Sequence, residues 1–180
     1  MKYELINQPN DKYSAKQQIL INRGLKEEDI PLYMNLTDDD INPPEALGEE
    51  LLEKAAAALR EAINGNKDIA VVIDCDCDGY TSSAIFINYL YDLNAEYTLN
   101  HVHWFLHEGK QHGLTDAMNW IEDIGAKLII VPDGGSNDWD QLKQLHNQNC
   151  KVIILDHHET IVPKNFQDAI IINNNAEYEE

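Results

Sequence analysis

Short apolar runs alternate with amphipathic stretches along most of this chain. The runs are brief and rich in β-branched residues, as expected of strands buried on both faces of a parallel sheet. They predict strands at 69–73, 101–106, 126–131, 151–155 and 169–172. Apolar residues at three-to-four-residue spacing predict helices between them, at 45–63, 81–90, 114–124 and 139–149. This alternation predicts an α/β fold, a doubly wound, mainly parallel five-stranded sheet with helices on both faces.

The first 44 residues differ from the rest in being polar and acidic, with turn-forming prolines near their end. Ser14 to Arg23 predicts a short helix within them. We interpret residues 1–44 as a lead-in that packs on the main domain, with a partly mobile arm as the alternative, and residues 45–180 as that domain. Within it, the hydroxyls of Thr81 to Ser83 precede a segment that is apolar on most faces, which predicts a capped, buried helix.

The sequence Asp74-Cys75-Asp76-Cys77-Asp78-Gly79 comes directly after the first predicted strand. On an extended backbone its three aspartates would point the same way and repel one another. No Lys or Arg occurs from 68 to 109, so a metal ion is the economical counter-charge. Carboxylates suit Mg²⁺ or Mn²⁺, and added imidazole shifts the preference towards Mn²⁺, Fe, Co or Zn.

The cysteines give no disulfide framework, since there are only three. Cys75 and Cys77 could form a soft-metal pair. Because both alternate out of phase with the aspartates, we expect them instead to pack as small hydrophobic residues.

Two further strand ends carry chemistry. Asp133 follows the third predicted strand, and Asp156-His157-His158 follows the fourth. Asp133 alone would be read as a turn residue and the histidines alone as a surface pair. Because ligands bind at the carboxyl ends of the strands in such sheets, the three groups together predict one site.

Two loops near the same edge could hold an anionic substrate. Backbone N–H groups at Gly135, Ser136 and Asn137 could approach a phosphate, aided by the helix expected to begin there. Lys110 and His112, in the loop after the second strand, are among the few cationic or potentially cationic side chains near this edge.

Composition limits the classes of partner. The 180 residues carry a net charge of −19, with a pI of about 4.5, which argues against nucleic-acid binding by a basic surface and against docking on anionic membranes. An enzyme whose metals hold a phosphate stays possible. No apolar run approaches the roughly 20 residues of a membrane span, and no signal peptide begins the chain, so we expect a cytoplasmic protein.

Asp-x-Asp-x-Asp-Gly, Asp-x-Gly and Asp-His-His in this order resemble the DHH phosphoesterase superfamily, in particular the RecJ-like single-strand exonucleases, including phage versions. The helix at 45–63 and the His112-Gly113-Leu114 loop resemble that pattern as well. The resemblance implies hydrolysis of a phosphoester by two divalent ions, Mn²⁺ or Mg²⁺. It implies metal ligands at Asp76, Asp78, Asp133 (bridging) and His157, a substrate-facing His158, and orienting roles for Asp74 and Asp156.

Two departures from the family pattern qualify that expectation. Val72 stands where many relatives carry a histidine ligand. The sequence ends at Glu180, before the position that would match the family's last aspartate ligand, and the family's second, substrate-gripping domain is missing, so we expect a truncated or minimal catalytic half with partly occupied metal sites.

The leading hypothesis is a 5′-to-3′ exonuclease on single-stranded DNA or short oligonucleotides, acting in DNA repair and recombination with replication or repair proteins as partners. One alternative keeps the chemistry on a smaller substrate: an oligoribonucleotide, nucleotide bisphosphate, cyclic dinucleotide or pyrophosphate. Another is a non-catalytic replication module that kept the fold.

Overall fold

The computed structural model of the protein describes residues 10–107 and 112–179. The chain divides into two compact units, Met1–Pro43 and Pro44–Glu180. The first unit contains helices α1 (Ala15–Asn22) and α2 (Ile30–Met34). The helix predicted from Ser14 is confirmed: the Ser14 side chain accepts a hydrogen bond from the N–H of Gln17, whose side chain accepts one from the N–H of Ser14.

The second unit is built on a five-stranded sheet in the order β2-β1-β3-β4-β6, with every neighbouring pair parallel. Its strands are β1 (Ile69–Ile73), β2 (Val102–Leu106), β3 (Leu128–Pro132), β4 (Lys151–Asp156) and β6 (Ile170–Asn173). Its helices are α3 (Glu49–Asn64), α4 (Cys77–Leu93), α5 (Ala95–His101), α6 (Met118–Ile124) and α7 (Trp139–Asn147). This confirms the α/β prediction. A separate parallel pair, β5 (Thr160–Val162) and β7 (Ala176–Tyr178), was not predicted.

Alternate residues of the strands enter two apolar layers, one on each face of the sheet. In β1, Ala70 and Val72 belong to the layer that α6 and α7 cover. Ile69, Val71 and Ile73 belong to the layer that α3, α4 and α5 cover. Since β1 lies between β2 and β3 and is covered on both sides, all five of its residues are buried.

The structure corrects the expectations for α4. The helix begins at Cys77, capped by Asp76, so the extended backbone assumed for the aspartate motif is wrong. Thr81 and Ser82 lie inside the helix, where their hydroxyls donate to carbonyls one turn earlier. The expected burial is also wrong, since its outer face exposes Ile85, Tyr89 and Leu93.

The ends of other helices differ from the predicted ends for local reasons. Gly48, with φ of +102°, separates a 3-10 turn at Pro44–Leu47 from α3, so this helix begins later than predicted. The helix expected at 114–124 is a 3-10 turn followed by α6. Helix α5 was missed. In the described ranges, no helix is both long and apolar enough to cross a membrane.

Candidate metal centre

The carboxyl ends of three neighbouring strands bring the predicted motifs together. The aspartate motif follows β1, Asp133 follows β3, and β4 ends at Asp156. Pro132 is paired with Leu155, and the Asp133 N–H donates to the Leu155 carbonyl over 2.6 Å. The parallel register therefore sets the acidic and imidazole groups along one edge of the sheet.

The first turn of α4 positions Asp76 and Asp78. The Asp76 side chain accepts from the Gly79 N–H over 3.1 Å, and this backbone hydrogen bond is the main cause that lowers the pKa of Asp76. A Cβ on Gly79 would lie 2.6 Å from the Cβ of Asp74. Glycine is therefore needed for α4 to start directly on the end of β1.

Asp133 lies at the centre of the cluster. Its backbone has φ of +69°, a left-handed conformation that aspartate tolerates better than most residues. Its Oδ1 lies 2.9 Å from His157 Nε2, whereas Oδ2 is buried with no hydrogen-bond partner in the described parts of the chain. Burial, followed by the charges of Asp78 and Asp76, raises the pKa of Asp133 to about 6. An unpaired buried oxygen beside further carboxylates is the environment that a cation would stabilise.

The four predicted metal ligands come together around this residue. Oxygens of Asp74, Asp76 and Asp133 lie within 4.8 Å of one another, as do donor atoms of Asp133, His157 and His158. His157 Nε2 is also 3.8 Å from Asp78 Oδ2. These oxygen and nitrogen donors suit Mn²⁺.

The side chain of Asp156 is buried and organises the two histidines. Its carboxylate accepts from the N–H groups of Ser136, His157 and His158 and contacts His158 Nδ1 at 2.7 Å. Burial raises the pKa of Asp156, but these hydrogen bonds outweigh it and bring the pKa to about 2. Asp156 in turn raises the pKa of His158. Such contacts fit the orienting role predicted for Asp156.

His112 contacts the aspartate motif, and its predicted role towards a substrate stays a prediction. Its Nδ1 lies 2.6 Å from Oδ1 of the buried Asp74. Gly113, with φ of +75°, leaves no space for a Cβ beside Asp138, whose carboxylate accepts from the Leu114 N–H over 2.6 Å. This contact anchors the loop that presents His112. Lys110 lies outside the described residues.

The glycine-rich loop after β3 is engaged within the protein. Helix α7 begins at Trp139, as the sequence predicts, and therefore starts after this loop and not within it, as the phosphate-binding interpretation assumed. The Ser136 N–H is bonded to Asp156, and the Asn137 side chain bonds to the Glu159 carbonyl and the Thr160 hydroxyl. Gly135 has φ of +88°. A role of these residues towards a substrate stays a prediction.

Two residues that the sequence did not single out support the histidines. The Asn173 amide donates to the His158 carbonyl over 2.9 Å and to Ser136 Oγ over 3.0 Å. The Asn175 amide donates to the His157 carbonyl. The sequence offered a signal for them, because they come directly after the strand predicted at 169–172 and so lie at the same edge of the sheet.

Known proteins with similar sequences belong to the class of metal-binding enzymes that this geometry suggests. A family profile described as the DHH family, N-terminal domain, matches residues 68–180. A prophage SPbeta-derived protein of Bacillus subtilis, YorK, named as a single-strand DNA-specific exonuclease, is 32% identical over 97% of this chain. The single-stranded-DNA-specific exonuclease RecJ of Thermus thermophilus is 32% identical over 67% of it.

The fold is similar to a solved structure as well. A crystal structure of Thermus thermophilus RecJ in complex with Mn²⁺ matches 86% of this chain and 20% of its own chain, with a TM-score of 0.54 and 25% identity. The present chain spans 28% of the length of YorK and 18% of that of Thermus RecJ.

Proposed function

Because the chain belongs to the DHH family, we propose that its carboxylate and imidazole cluster is a two-metal centre for phosphoester hydrolysis. The observation that carries the proposal is Asp133, a buried carboxylate set between two further aspartates and His157, with one oxygen that has no hydrogen-bond partner among the described residues. An aspartate that only stabilises a turn does not need neighbouring carboxylates and an imidazole. A ligand shared by two metal ions would need them.

Asp76, Asp78, Asp133 and His157 would hold the metals, with Asp74 beside them. Divalent ions bound there supply an activated water and neutralise charge developing on phosphorus. The protein contributes positioning. The hydrogen bond from the Gly79 N–H fixes the Asp76 carboxylate, and the left-handed backbone at Asp133 directs its carboxylate into the cluster.

His158 would face the substrate. Its Nδ1 is held by Asp156, and its side chain is about half exposed, which leaves Nε2 to meet a phosphate oxygen. The hydrogen bond with Asp156 raises the pKa of His158 and so favours the protonated ring, whose Nε2–H can donate to that oxygen. Asp156, with its low pKa, stays ionised and keeps the ring in place.

For the substrate we propose single-stranded DNA, cut from the 5′ end by a cytoplasmic protein of DNA repair or recombination. The names of the relatives support this class. The net charge of −19 argues against DNA binding by a basic groove. The binding of DNA would therefore depend on the metals.

The test is hydrolysis with Mn²⁺ of 5′-labelled single-stranded DNA, a dinucleotide and pyrophosphate, each offered separately. We expect DNA to be degraded and Asp133→Asn to abolish degradation. Asp68→Asn is the matched control, because Asp68 also pairs with histidines, His101 and His103, but at the opposite end of β1. Preference for a small substrate would refute the DNA assignment, and turnover by Asp133→Asn equal to the wild type would refute the metal-bridging role.

A further inference from the structure

We propose a third metal position, at Asp74, Cys75 and His112, which takes a thiophilic ion of the Zn²⁺ class. A carboxylate oxygen, a sulfur and a ring nitrogen from these residues all lie within 4.8 Å of one another. This group is distinct from the two clusters around Asp133, with which it shares only Asp74. The site goes beyond the proposed hydrolysis, because neither Cys75 nor His112 is needed for the two-metal centre.

The protein brings these three residues together before any ion binds. Asp74 Oδ1 accepts from the Cys75 N–H over 2.7 Å and lies 2.6 Å from His112 Nδ1. Asp74 itself is fixed at the end of β1 by the close approach of Gly79. The backbone beside His112 is held by the Leu114 contact with Asp138. Two segments distant in sequence therefore converge on one carboxylate.

The donor set determines which ion is preferred. Zinc binds sulfur at about 2.3 Å and nitrogen or oxygen at about 2.0–2.2 Å, which places tetrahedral ligands roughly 3.3–3.7 Å apart. Because His112 Nδ1 lies 2.6 Å from Asp74 Oδ1, the ring has to move outward by about 1 Å to admit an ion, and its exposure allows this movement. Thiolate selects Zn²⁺ or Cd²⁺, while the oxygen-rich clusters suit Mn²⁺ or Mg²⁺. Three protein ligands leave a fourth position for water, and binding releases the thiol proton to solvent.

The shared Asp74 has a consequence for the proposed hydrolysis. An ion at this site would be bound by the Asp74 carboxylate, which also lies within 4.8 Å of the Asp76 and Asp133 oxygens. Thiophilic ions should therefore inhibit hydrolysis in Mn²⁺. This consequence rests on the proposed function, whereas metal binding itself does not.

The test is titration of the 180-residue chain with Cd²⁺, followed by the ultraviolet charge-transfer absorption of cadmium–thiolate bonds. We expect one equivalent to produce the band in the wild type. Cys75→Ser should remove it. His112→Gln should weaken Cd²⁺ binding more than tenfold, since even changing a residue that only orients a ligand costs about that much. Cys77→Ser is the matched control, because Cys77 is an exposed cysteine two residues away that belongs to no such group among the described residues.

Three outcomes would overturn the site: no band in the wild type, a band that survives in Cys75→Ser, or its loss in Cys77→Ser, which would mean that the two cysteines bind as a pair. Thermal unfolding of each variant without metal shows that the fold is kept, and a Cys75→Ala variant provides a second test if Cys75→Ser is unstable. Because the readout is absorption, failure here leaves the Mn²⁺-dependent hydrolysis to be judged on its own assay.

Discussion

Replacing Asp133 by asparagine should make the metal-free protein more stable at neutral pH while removing its response to Mn²⁺. In the folded protein the pKa of Asp133 is raised from its ordinary value of 3.8 to about 6, chiefly by burial and then by Asp78 and Asp76. Since the folded state holds this proton more tightly, the stabilising contribution is fully present below about pH 4. It is lost as the pH rises through 6.

The size of the effect follows from the two pKa values. They differ by about two pH units, and each unit corresponds to about 1.4 kcal/mol, so the ionised carboxylate costs about 3 kcal/mol at pH 7.5. Asparagine removes this cost but weakens the contact with His157, which offsets about 1 kcal/mol. A net gain of about 2 kcal/mol remains for Asp133→Asn in chelator.

The assay is urea unfolding of both proteins in chelator at pH 7.5 and pH 4, repeated at pH 7.5 with Mn²⁺. The variant should be the more stable protein only at pH 7.5 in chelator, and Mn²⁺ should stabilise only the wild type, by linkage. A variant that is less stable than the wild type in chelator at pH 7.5, or a difference that does not change with pH, would refute the reasoning.

Three other predictions follow from the same edge of the sheet. Mn²⁺ should raise the melting temperature of the wild type more than Ca²⁺ does, because imidazole prefers the softer ion; identical melting curves in chelator and in Mn²⁺ would count against a metal site. Asn173→Ala should lower kcat roughly tenfold, as loss of an orienting contact does, with KM nearly unchanged, while Asn174→Ala has no effect; equal losses in both would exclude a positioning role for Asn173. Gly113→Ala should lower the unfolding free energy by more than about 2 kcal/mol, because the added Cβ meets Asp138. Gly125→Ala, at φ +67° in open space, should cost only the backbone strain of about 1 kcal/mol. Similar losses for the two variants in urea unfolding would contradict this prediction.

The sequence alone determined the sheet and the edge at which the chemistry lies. A run such as Ile69–Ile73 has no polar residue to face water, so it has to be a central strand. Once the strands are parallel, the residues that follow them meet at one edge. Asp133, His157 and the aspartate motif could therefore be placed together without knowledge of any distance.

Helix α4 shows where sequence reasoning was misleading. Its apolar composition predicted burial, but Ile85, Tyr89 and Leu93 are exposed. Composition does not tell which side of a helix is covered. Similarly, spacing placed Asp74, Asp76 and Asp78 on one face of a strand, whereas Gly79 allows the helix to start two residues after Cys75.

Only the tertiary structure decided which polar groups contact one another at this edge of the sheet. His112 and Asp74 are 38 positions apart, and their contact depends on a loop anchored by Asp138. Asn173 reaches the His158 carbonyl across the end of the sheet. Such contacts join segments distant along the chain, and their geometry is set by the packing of whole elements. The strand order places Asn173 at this edge, but no local pattern of residues specifies which groups it contacts, and for this physical reason the contacts could not be predicted from the sequence.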